Sequence, residues 1–190
     1  MLTITPQTTT WSELDASSRG IAFFEDMYGT LPDVHLAQIH RVAASSLSEM
    51  NRWLDVLLPP TVSPDQLGFP GSRFLKLEES SWNTDDGIQS VRQWLHDCGV
   101  PYSTTVYLFY DRVMILAMPW KLVLRYWNVW AWSVGYSMIA VDSTCQWACM
   151  FHHENVMQFG RHTENKTEQC RAPERPNDAS LNTNSTPAVW

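Results

Sequence analysis

One stretch constrains this chain more than any other, the run TTVYLFYDRVMILAMPWKLVLRYWNVWAWSVGYSMIAVDSTCQWACMFHHENVMQFG at residues 104–160. It holds five of the ten tryptophans: Trp120, Trp127, Trp130, Trp132 and Trp147. Each buried ring removes roughly 150–250 Å² from water, so this segment alone supplies most of a core. Histidines aside, residues 113–162 carry charge only at Lys121, Arg125, Asp142, Glu154 and Arg161. Everything in the run points to packing, and nothing in it spells a reaction.

The pattern within the run resolves into elements. Residues 106–110 are apolar on both faces, which predicts a strand at the centre of a sheet. Over residues 119–130, Lys121, Arg125 and Asn128 recur at steps of 4 and 3. That is a helix with one polar stripe, Pro119 in its first turn and its other sides enclosed. Residues 136–142, 146–151 and 156–159 read as three further strands. The last two form a hairpin that turns through His152, His153, Glu154 and Asn155.

Upstream, Leu36, Ile39, Ala43, Leu47, Met50, Leu54 and Leu57 recur at steps of 3 or 4. This seam predicts a long helix over residues 31–57, stopped by Pro59-Pro60. It reads as the flank of a globular core in preference to a coiled-coil seam. Before it, Thr10-Trp11-Ser12-Glu13 has the form of a capping box, and residues 18–28 form a short helix ending at Gly29. Residues 59–72 are loop by composition, and residues 74–78 are a strand. A helix capped by Thr84 or Asp85 then buries Ile88, Val91, Leu95 and Cys98, and stops at Gly99-Val100-Pro101. After Arg161 the sequence turns to Asn, Thr, Glu, Pro and Ser, which predicts a disordered tail over 163–190. The fold class that follows is α+β: a mostly antiparallel sheet with helices packed on one side and an N-terminal helical layer. A chain of 190 residues fits one core, so residues 1–162 read as a single domain. Within it, 1–58 are mainly helical and 73–162 form the sheet with its helices.

The net charge of −7 is uneven. Residues 1–70 carry eight acids against three bases, whereas the aromatic region is close to neutral. Such a balance argues against nucleic acid or anionic lipid as a partner and permits a basic protein. The candidate membrane span, residues 113–134, is interrupted by Pro119, Lys121, Arg125 and Asn128, and no basic, apolar leader opens the sequence. Cys98, Cys145, Cys149 and Cys170 fit no common metal or redox spacing. The expectation is a soluble, cytoplasmic protein with reduced thiols and no membrane partner.

The residues able to do chemistry are few. His152-His153-Glu154, with His162 nearby, suggests a metal site. Adjacent residues of a hairpin point to opposite sides, however, and the i, i+4 helical spacing of paired zinc histidines is missing. A solvated turn is the better reading, so no metal, cofactor or catalytic residue is assigned. Cys145 and Cys149, read as one strand, face the same side more than ~12 Å apart, too far for a disulfide. Asp111-Arg112 reads as a turn with a local ion pair. Asp142 is the one carboxylate whose burial would matter, and a turn role is favoured for it too. Glu25 and Asp26 with Glu49 and Asp55 are expected to form an acidic binding face. Asp142, His152, His153 and Glu154 complete the candidate binding residues.

The layout of residues 86–160 resembles that of small acidic bacterial proteins of unknown function, some of which are immunity proteins against contact-delivered toxins. The likeness rests on a helix ended by Gly99-Val100, the strand VYLFYD and the helix PWKLVLRYWNVW. The strand SMIAVD and the closing hairpin WACMFHHENVMQFG complete it. It implies a non-enzymatic protein-binding module that neutralises a basic toxin. Two alternatives stay open: a small enzyme with its site at the 152–154 turn and Asp142, and a homo-oligomer joined through the 31–57 helix.

Overall fold

The structure is a computed structural model of the chain, and it describes residues 5–10, 31–58, 67, 69, 72–76, 84–132, 137–152 and 155–162. The capping box at Thr10–Glu13 extends beyond these residues; the 18–28 helix and the 163–190 tail lie wholly outside them. The strands are β1 (Thr8–Thr10), β2 (His40–Val42), β3 (Arg73–Lys76), β4 (Thr105–Phe109), β5 (Ile115–Pro119), β6 (Met138–Asp142), β7 (Trp147–His152) and β8 (Val156–Arg161). They form one sheet in the order β1-β2-β5-β4-β6-β7-β8-β3, and every pairing is antiparallel. The helices are α1 (Asp33–Leu36), α2 (Leu47–Leu57), α3 (Asp85–His96), α4 (Trp120–Arg125) and α5 (Trp127–Trp132). The α+β class with an antiparallel sheet is therefore what the chain adopts.

Strand alternation sorts the core into two layers. Val106, Leu108, Leu116, Met118, Ala140, Cys149 and Phe159 lie in one cluster with α3, α4 and α5. Tyr107, Phe109, Ile115, Ala117, Ile139, Val141 and Met150 lie in the other with Met50, Leu54 and Leu57 of α2. Helices thus cover both faces, where one-sided packing was expected. The reason lies in the central strands: β4 to β7 are apolar at successive positions, so an uncovered face would leave half of that surface in water. The central position expected for β4 is what its neighbours β5 and β6 give it.

The predicted 31–57 helix is broken. It resolves into α1, then β2, then a 3-10 turn at Ala44–Ser46, and only then α2. Its seam is accordingly split between layers, with Ile39 in one cluster and Met50, Leu54 and Leu57 in the other. The local chemistry explains the break. Ile39 and Val42 are β-branched, and His40 and Arg41 pair with Ala117 and Leu116 of β5. Serines compete with a helix for backbone partners, and here they fasten β1 instead. Ser46 Oγ accepts from the Gln7 amide at 3.0 Å, and Ser45 Oγ donates to Gln7 Oε1 at 3.0 Å. The Ala43 amide donates to the Gln7 carbonyl at 2.8 Å.

Three strands were missed altogether, β1 and β2 at one edge and β5. Asp111 Oδ1 accepts from the amides of Val113 (2.7 Å) and Met114 (2.5 Å), and so folds β5 back on β4. The expected 119–130 helix is two short ones, divided at Tyr126 with φ −120° and ψ 26°. Arg92 Nη2 donates to the Arg125 carbonyl at 2.6 Å and caps the first of them. The ends of α3 follow the sequence reading. Thr84 Oγ1 accepts from the Gly87 amide, and Gly99 takes φ +71° beyond the last turn.

Candidate functional site

Asp142 ends β6, and its carboxylate accepts three hydrogen bonds from the β6–β7 turn and the start of β7. Its Oδ1 accepts from the amide (2.9 Å) and hydroxyl (2.5 Å) of Thr144, and its Oδ2 accepts from Trp147 Nε1 at 2.9 Å. Trp147 in turn packs edge-on to Trp120 and stacks on Phe159. The carboxylate therefore anchors a tryptophan of the core. His152 ends the same hairpin strand at its far end, paired with Val156, and is buried. Five residues of extended strand separate Trp147 from His152, about 17 Å at 3.3–3.4 Å each. Asp142 and His152 are consequently not brought together. His153 and Glu154 lie outside the described residues. Asn155 closes the turn at φ +60°.

Glu49 and Asp55 both lie on α2. Asp55 is paired with Arg112 of the β4–β5 turn at 2.7 Å, with both side chains more than half exposed. Arg112 is thus engaged with α2 and makes no local pair with Asp111. The Arg112 carbonyl also accepts from Asn51 Nδ2 at 2.8 Å, so that turn is docked on the helix. With Arg52 on the same helix, the α2 surface is balanced in charge. Glu25 and Asp26 lie outside the described residues. Taken together, the described residues hold nine lysines and arginines against eight aspartates and glutamates. The net −7 of the chain is therefore carried by the remaining residues.

Cys145 does not share a strand with Cys149. It precedes β7 in a left-handed conformation at φ +50° and belongs to the α2 layer, whereas Cys149 lies in the other. Burial pushes the Cys149 thiol well above its usual range and the Cys98 thiol up to about 11. Both are protonated at neutral pH and are poor nucleophiles. No group of three or more His, Cys, Asp or Glu side chains suited to a metal ion occurs among the described residues. No helix among them is long and apolar enough to cross a membrane.

Sequence reasoning missed a constellation where β3 and β8 meet the C-terminal end of α3. Arg73 Nη1 donates to the Asp97 carbonyl at 3.1 Å, with its guanidinium 5.9 Å from the centre of the Trp94 ring. Arg161 Nη2 donates to the Cys98 carbonyl at 3.2 Å. Two cations thus serve the negative end of the helix dipole. Hydrogen bonds from His96 and then Gln93 hold the exposed Asp97 carboxyl below its usual range. On β3 itself Arg73, Phe74 and Lys76 are exposed, Phe74 at 56 %. A half-exposed phenylalanine thus stands between two cations on the last strand of the sheet. No family model matches the chain, and neither does any curated protein or solved structure.

Proposed function

We propose that this chain is a protein-binding module, and within that class an immunity-type protein that neutralises a toxin in the cytoplasm. The observation that carries the binding reading is the terminal strand β3, with its exposed Phe74 and flanking cations. Three of the candidate binding residues are engaged within the fold: Asp142 bonds Trp147, Asp55 pairs with Arg112, and His152 is buried. The toxin reading rests on the layout of residues 86–160 and on the net charge of −7, which at long range favours capture of a basic partner. The homo-oligomer alternative loses its basis, because the helix meant to join the copies ends at Leu47 on its N-terminal side.

The test is a titration of the full chain against the catalytic domain of a basic, contact-delivered toxin. A 1:1 complex with submicromolar Kd, and toxin activity falling to zero at one equivalent, is the expected result. Full toxin activity at tenfold molar excess of the chain would remove the immunity reading.

A further inference from the structure

We draw no further inference here: the strongest candidate, the side-chain cluster of Arg73, Trp94 and Arg161 around the C-terminal end of α3, has its cations engaged with the carbonyls of that helix end, and nothing in the structure shows what ligand or partner covers it.

Discussion

Replacing Gly160 with alanine isolates one contact in this fold. Gly160 lies in β8, where extended backbone suits any residue, so its conformation does not demand glycine. Space does. A Cβ there would stand 2.4 Å from Cβ of Phe69, 2.6 Å from its Cγ and 2.7 Å from its Cδ2. These atoms sit at the root of the Phe69 side chain, so rotating the ring cannot relieve the clash. Phe69, 6 % exposed and packed in the α2 layer, must move as a whole or β8 must give. Overpacking of this kind costs about 1–3 kcal/mol, and full release of a buried phenylalanine about 1.5–3 kcal/mol. We expect a loss near 2 kcal/mol, which for a chain of this length lowers Tm by roughly 4–8 °C. The decisive measurement is the double-mutant cycle with Phe69→Ala, by denaturant unfolding. With the ring gone, Gly160→Ala should be neutral or stabilise by about 0.5–1 kcal/mol, because glycine in a strand is entropically costly. The same loss in both backgrounds would refute the contact as the cause.

Other perturbations test the core and its polar ties. Trp127→Ala removes a fully buried ring, whose Nε1 donates to the Ile88 carbonyl at 3.2 Å, and should cost about 3–5 kcal/mol by urea denaturation. Gln158→Met leaves the buried Leu67 peptide without its side-chain partner and should cost about 1–3 kcal/mol in the same assay. Asp55→Ala breaks an exposed pair and should change stability by less than about 1 kcal/mol. Burial favours the neutral Cys98 thiol in the fold, so the stability it contributes is complete below the ordinary thiol value of 9.0 and is lost as pH rises towards about 11. Unfolding curves of Cys98→Ala and wild type between pH 8 and 11 should therefore converge with rising pH, and a constant gap would contradict the assignment.

What the sequence made legible, and what it hid, follows from how far each element's cause lies from the element itself. α3 was readable at both ends, because Thr84 and Gly99 act within one turn of the residues they cap. Strands β4, β6, β7 and β8 announced themselves as apolar runs too long for turns. β2 was hidden in a seam of 3- and 4-residue steps, because a strand of three residues has no period of its own. What selects it is Leu116 and Ala117, far downstream. β5 was hidden between a turn and a helix that share its apolar composition. For the candidate site, the turn role of Asp142 was legible in Asp142-Ser143-Thr144, where short polar side chains meet. The reach of Arg73 and Arg161 to α3 was not, because those contacts span 24 and 63 residues of chain.

The strand order also has a consequence in time. The sheet is finished at both margins by strands made early, β1 and β2 on one side and β3 on the other, while its centre is made last. During synthesis β2 has no partner until β5 emerges, and Arg73 none until Phe159. At roughly 5–20 residues per second that second wait is on the order of ten seconds. Arg73 and Lys76 keep charge on this strand throughout that wait, a device by which strand edges disfavour pairing with the wrong chain.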